Sequence, residues 1–391
     1  MKQTVFKKID ELYDEMVEIR RDFHMYPELS FQEERTASVI AEYQRKLGLE
    51  VQTNVGGNGV VATLRGAKPG KTVAIRADFD ALPIEEENEV SYKSQNPGVM
   101  HACGHDAHTA IALGISKALA AHKEELAGNI VFIHQHAEEE DPGGAKTMIE
   151  DGALDGVDAI FATHMENYLP VGHLWHNDEY VLGACDDFFI TIKGVGGHGA
   201  FPHDTTDVIA IGAQLVSSLH QVISRKVDPL KSAVLTIGSF QAGNTTNVIP
   251  GEGRLEGTVR TFDESVRQDV SNWVKQITEH TCKAFGADFE LDYHFGYPAT
   301  KNDKNLNQLM VKAAKDVLPE ENIQVVAPNM GAEDFSYFAQ KIPGTYFFTG
   351  SANKEKGFVY PYHHAKFDID EKALLNGAKV LASAALDFLD S

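Results

Sequence analysis

The sequence predicts an α/β fold: a mostly parallel sheet flanked by helices, interrupted by an inserted α+β domain. Three observations carry this. β-rich runs alternate with helical periods up to about residue 183 and again from about 297. Between them, 184–296 reads β-α-β-β-α-β, the ferredoxin-like split βαβ order. The chain has 391 residues, enough for two or three domains at roughly 150 residues each. We therefore expect 1–183 and 297–391 to form one domain and 184–296 a second.

The elements follow in order. Ile9, Leu12, Met16, Ile19 and Phe23 recur at helical spacing until Pro27 interrupts them. A second helix is expected over Glu33 to Leu47, ended by Gly48. Thr72 to Asp80, Asn129 to His136 and Asp158 to Thr163 read as strands. Thr109 to Leu126 and Gly144 to Leu154 read as helices between them. In the insertion, strands are expected over Asp186 to Lys193, Ser232 to Phe240, Arg254 to Thr261 and Ala287 to His294, with helices over Asp207 to Ser224 and Ser265 to Phe285. Helix and strand then alternate from Asn305 to a last helix beginning at Glu371.

Composition narrows the function classes. A net charge of −22 argues against a general nucleic-acid binder, which needs a basic face, and against docking on anionic lipid. No run of eighteen apolar residues occurs, so no membrane span is expected, and the charged first residues do not resemble a signal peptide. Three cysteines, Cys103, Cys185 and Cys282, do not make a disulfide framework, and a reducing cytoplasm is expected.

The densest chemistry is Met100 to His108, MHACGHDAH, which packs Cys103, His105 and His108 between a turn and a helix. Thiolate and imidazole are ligands of zinc-like metals, although Cys-x-His alone is a weak signal and Asp106 could simply cap the helix. Other strand ends add to it. The strand from Asn129 runs into Glu138, Glu139 and Glu140, and the strand from Asp158 ends at His164. Sites in open α/β sheets form at the carboxyl ends of strands, so these groups are expected to converge. Asp78 and Asp80 are equal candidates, on spacing, to accept the second ring N–H of a metal-bound histidine. Either of His363 and His364 could reach the sheet edge. Gly194 to Gly199 matches G-x-G-x-x-G, but Pro202 stands where the helix should begin and no acid follows about 20 positions on. A glycine-rich turn presenting His198 is the better reading than a nucleotide site.

Taken together, RRDFHMYPELSFQEERT, RADFDALPI, MHACGHDAHTAIALG, HAEEE-PGGAKTMIEDG, TTNVIP, GTVRTF, GAEDF and HHAKFDIDE resemble the dinuclear-metal amidohydrolases. That family includes hippurate hydrolase, auxin-conjugate hydrolases, N-acyl-amino-acid deacylases and related carboxypeptidases. The resemblance runs from about residue 20 to 372 in the same order. It implies a metal-binding catalytic domain and an inserted lid or dimerisation domain, hence a homodimer or homotetramer. It implies two divalent ions, manganese or zinc first and cobalt or nickel as alternatives, held by Cys103, His105, Glu139, His164 and His363. His363 is chosen over His364 because it stands four residues before Phe367, as the family's ligand stands before its aromatic. Glu138 corresponds to the catalytic base, Asp80 to the acid behind the ligands, and His198 to the lid histidine. Asn247, Arg260 and Ala332 match substrate-binding positions. The implied reaction is hydrolysis of the amide bond of N-acyl amino acids, with a metallo-dipeptidase or aminopeptidase as alternative. The chain departs from the family where the usual Phe-Gln-Pro-Ala reads His134-Gln135-His136-Ala137, and at Glu140-Asp141-Pro142.

Overall fold

A computed structural model describes all 391 residues. In chain order the first elements are α1 (Lys2–Glu11), α2 (Tyr13–Met25), α3 (Glu34–Lys46), β1 (Glu50–Val55), β2 (Gly59–Arg65), β3 (Lys68–Asp78), α4 (His105–Ala120), β4 (Ala127–Gln135), α5 (Ala145–Glu150), β5 (Ala159–Pro170), β6 (Leu174–His176) and β7 (Tyr180–Leu182). Then come β8 (Ala184–Lys193), β9 (Gly197–His198), α6 (Val208–Lys226), β10 (Ala233–Ala242), β11 (Val248–Ile249), β12 (Glu252–Thr261), α7 (Glu264–Ala284), β13 (Asp288–Phe295) and β14 (Thr300–Lys301). The last are α8 (Lys304–Ala314), β15 (Ile323–Val325), α9 (Phe335–Ala339), β16 (Gly344–Ala352) and α10 (Lys372–Leu389). No helix is long and apolar enough to cross a membrane.

The chain divides into two compact units. Met1–Val181, Lys301–Pro328 and Asp334–Ser391 form the first; Leu182–Thr300 and Asn329–Glu333 form the second. The short Asn329–Glu333 segment differs from the sequence expectation, which left it in the first unit. It joins the second because Asn329 bridges Leu182 and its carbonyl accepts the Gly183 amide at 3.0 Å.

The first unit holds an eight-stranded sheet in the order β1-β2-β4-β3-β5-β16-β6-β15. Its centre, β4-β3-β5-β16, is parallel, while β1-β2-β4 at one edge and the β16-β6 pair are antiparallel. The central strands read as continuous apolar runs because both faces are covered: every residue of β16 is buried, as are the first nine of β5. Phe132, Phe161, Phe347, Ile75 and the inner faces of α4 and α10 form one core.

Two local differences from the expected elements matter. The first helical period is two helices, α1 and α2, meeting at Leu12; the Met16 amide still bonds the Leu12 carbonyl, so the apolar face stays in phase. More important, α4 begins at His105 and not at Thr109. Gly104 occupies a left-handed turn (φ +92°) where a Cβ would come within 2.9 Å of Met165 Cβ, and the helix starts directly after it. His105 and His108 thereby fall on one face of the first turn.

In the second unit, β10-β12-β8-β13 form an antiparallel sheet, and α6 and α7 cover one face. Phe188, Ile190 and Ile192 alternate inward along β8. Asp207 and Asp263 cap α6 and α7 through their carboxylates.

Candidate metal centre

The ends of β3, β4 and the middle of β5 lie side by side in the first unit, with Asp78 opposite Gln135 and Arg76 opposite Ala162. That register brings the segment after β3 (Asp80), the turn after β4 (Glu138 and Glu139) and His164 to one edge. The N-terminus of α4 points its first turn into the same place. The positive end of a 16-residue helix favours the anionic groups gathered there.

Hydrogen-bond partners fix the direction of each imidazole. His105 Nδ1 lies 3.0 Å from the Asp80 carbonyl and 3.1 Å from Asp80 Oδ1, so its Nδ1–H donates and its Nε2 turns inward. That Nε2 stands 3.8 Å from Glu139 Oε1 and 4.0 Å from Glu138 Oε2. His164 Nδ1 donates to the Met165 carbonyl at 2.7 Å, leaving Nε2 facing Cys103 Sγ at 3.3 Å. His363, at φ +65°, donates its amide to the Ala102 carbonyl and brings Nε2 to 3.3 Å from Glu139 Oε1. His364 turns away, stacking on Tyr360. Cys103, His105 and His164 offer ligand atoms within 4.8 Å of one another; so do Cys103, Glu139 and His363, and so do His105, Glu138 and Glu139.

Asp78 and Asp80 do not compete for one ring nitrogen: each meets a different Nδ1, although Asp78 Oδ2 also lies 3.8 Å from His105 Nε2. Asp80 holds His105, and Asp78 Oδ1 lies 2.6 Å from His108 Nδ1. His108 Nε2 accepts the Met165 amide at 2.9 Å, so both of its nitrogens are used. Arg76 donates to Asp78 at 2.5 Å and to Asp334 at 3.0 Å.

The donor set fits a cation on its own evidence. His105 Nε2 and Glu139 Oε1 are buried with no hydrogen-bond partner, a costly arrangement unless something satisfies them. Burial disfavours a charged His105, yet Asp78 and Asp80 push it up to about 10. Burial, then Glu139 and Glu138, hold the Cys103 thiol well above its ordinary range. Burial keeps His164 neutral. A divalent cation held between them would satisfy both atoms and favour the thiolate.

The remaining sequence-expected residues lie in the second unit. His198 on β9 pairs with Val248 on β11, and the Gly199 amide donates to the Asn247 carbonyl at 2.8 Å, so His198 and Asn247 belong to one small substructure. The glycine-rich loop closes this β-bridge, and α6 begins only at Val208. Arg260 lies on β12 between Val234 and Cys185. Ala332 is half-buried in the Asn329–Glu333 segment.

Sequence reasoning missed the layer beneath α4. Arg20 is fully buried and donates to Asp106 at 2.7 Å and Asp368 at 2.8 Å; His24 Nδ1 lies 2.8 Å from the same Asp106 oxygen. The available signal was an arginine and a histidine at i, i+4 on the buried face of α2. His134 and His136 stand where the chain departs from the family pattern. His134 Nε2 takes a hydrogen bond from Gln44 at 3.0 Å within the core, and the His136 ring meets Phe31 edge-on.

Residues 74–387 match the model of the peptidase family M20/M25/M40. YhaA of Bacillus subtilis (strain 168), which carries an amidohydrolase name, is 50% identical over 388 residues, covering 99% of this chain and 98% of that protein. An N-acyl-L-amino acid amidohydrolase of Geobacillus stearothermophilus is 46% identical over 76% of this chain and 80% of its own. The crystal structure of Bacillus subtilis YxeP, described as a dinuclear metal-binding peptidase of family M20, superposes with a TM-score of 0.83 at 34% identity, covering 97% of this chain and 99% of that one. The chain belongs to the peptidase family M20/M25/M40 and is a metal-dependent amidohydrolase.

Proposed function

We propose that the chain hydrolyses the amide bond of N-acyl amino acids, with two divalent ions held by Cys103, His105, Glu139, His164 and His363. The observation that carries this is the pair of donor triads sharing Cys103, with inward-turned imidazole nitrogens and two orphaned buried atoms beside Glu138. The Geobacillus stearothermophilus relative, named for that substrate class, supports it. Thiolate and imidazole suit zinc, and the carboxylate suits manganese, with cobalt and nickel as alternatives.

When bound, such ions lower the pKa of a water and polarise the scissile carbonyl. The chain's own residues do the rest. Glu138 takes the proton of the attacking water on a carboxylate oxygen and returns it to the leaving nitrogen. Asp80 keeps the His105 tautomer fixed by accepting its Nδ1–H. In the family resemblance, His198 donates to the carbonyl oxygen as charge develops there. In the same resemblance, Arg260 pairs with the substrate carboxylate through its planar fork, and Asn247 and Ala332 are further substrate-binding positions. The inserted unit serves as lid and dimerisation domain in a homodimer or homotetramer. A thiolate ligand suits a reducing cytoplasm.

The test is amine release from a panel of N-acyl amino acids and dipeptides, using metal-stripped protein and protein reloaded with manganese or zinc. Metal-dependent release from acylated substrates supports the reading. Release from dipeptides alone transfers the chain to the peptidase alternative.

A further inference from the structure

We propose that Glu33 is a positioning residue for the base: it grips the Ala137 amide and so sets the direction in which Glu138 leaves the end of β4. The proposal rests on Glu138 being the base.

Ala137 adopts φ +50°, a left-handed conformation rare for a residue with a Cβ. Such a conformation persists only where its surroundings over-determine it. Here both of its peptide groups are held. The Ala137 amide donates to Glu33 Oε1 at 2.8 Å, and its carbonyl accepts the Gly144 amide at 3.0 Å. One residue beyond the base, the Glu139 amide donates to Asp80 Oδ2 at 3.0 Å. Glu138 is therefore bracketed on both sides by backbone amides tied to carboxylates, Glu33 before it and Asp80 after it.

Glu33 is itself locked. It has no exposed surface, and its Oε2 accepts Asn58 Nδ2 at 3.0 Å. The same chain segment grips the other strand end: Ser30 Oγ donates to Asp80 Oδ2 at 2.7 Å, and the Glu28 carbonyl accepts the Ala81 amide at 2.8 Å. The loop leading into α3 thus clamps the turns after β3 and β4 together, and Glu33 is its only side chain reaching Ala137 among the hydrogen bonds described. No cation pairs with Glu33, so its burial is not explained by a salt bridge; its acceptor oxygens are the part in use.

The experiment compares Glu33→Met, Glu33→Ala and Glu33→Gln with Glu138→Gln in the full, manganese-loaded chain. Glu33→Met keeps the volume but has no acceptor, and Glu33→Ala serves if the methionine does not fold. Glu33→Gln keeps an acceptor for Ala137, with the Asn58 amide turned to present its oxygen. The expected result is a ten- to hundredfold fall in kcat for Glu33→Met with KM within threefold and bound metal unchanged. Glu33→Gln should restore kcat to within threefold. Hydrogen–deuterium exchange on the metal-free protein should show the Ala137 amide exchanging at least tenfold faster in Glu33→Met and near the unmodified rate in Glu33→Gln. Unchanged kcat in Glu33→Met overturns the proposal, as does a Glu33→Gln as impaired as Glu33→Met. Loss of metal in parallel with kcat also overturns it, since that marks support of the ligands and not of the base. If Glu138→Gln keeps turnover, the base assignment itself fails; if Glu138→Gln is inactive and Glu33→Met is not, only the role of Glu33 fails.

Discussion

His105 Nδ1 lies 3.1 Å from Asp80 Oδ1, and this contact turns His105 Nε2 toward Glu139 at 3.8 Å. The carboxylate fixes both the ring plane and the tautomer, so the inward nitrogen is a lone-pair donor as soon as a cation displaces its proton. Asp80 is in turn held by Ser30 and by the Glu139 amide.

Asp80→Ala should therefore weaken metal binding by roughly ten- to a hundredfold while leaving the fold intact. Titration of metal-stripped protein with manganese or zinc, read by calorimetry, measures this. Wild-type affinity in the variant would show that His105 does not need Asp80 to orient it.

Glu138→Gln separates proton transfer from metal binding. The amide keeps the shape of the side chain but cannot take a proton, so turnover should fall by at least about a hundredfold, the span of a general base. Metal content should stay at the level of the unmodified chain, because Glu138 is not among the five proposed ligands. Turnover near the original rate would remove Glu138 from the base role.

The sheet, the insertion and the convergence of Cys103, His105, Glu138, Glu139 and His164 were legible because strand-end chemistry and hydrophobic period are local signals. The start of α4 was not. Its position depends on Gly104 passing close to Met165, a contact between residues far apart in the chain. The Arg20–Asp106–His24 network was hidden for the same reason: its partners come from α2 and α4, and neither sequence segment names the other. Glu33 read as the start of a helix, and its bond to Ala137, 104 positions away, appears only in the fold.

His134 gives a prediction about acid stability. Burial pushes its pKa down to about 3, from an ordinary value of 6.5. The native state therefore holds the ring neutral, and the stability this represents is complete above pH 6.5 and is lost as the pH falls toward 3. At pH 5 the loss amounts to about 2 kcal/mol. His134→Phe, the residue usual in the resembling family, should move acid unfolding to lower pH, seen as a smaller drop in urea midpoint between pH 7 and pH 5. An identical drop in both proteins would show that His134 is not what acid attacks.

Glu33 titrates in the opposite sense. Burial raises its pKa to about 7 from 4.5, despite the Asn58 and Ala137 donors. The folded protein thus holds this proton more tightly than the unfolded chain does. The charged form costs nothing below pH 4.5; the cost grows as the pH rises and levels off above 7, on the order of 3 kcal/mol at full extent. Glutamine at this position never ionises. Glu33→Gln should match the unmodified chain near pH 4.5 and exceed its stability at pH 8, with the gap opening between those values. Urea unfolding of the metal-free proteins at a series of pH values measures it. A constant difference across the series would mean that Glu33 keeps one charge state throughout, and that its hydrogen bonds to Ala137 and Asn58 outweigh its burial.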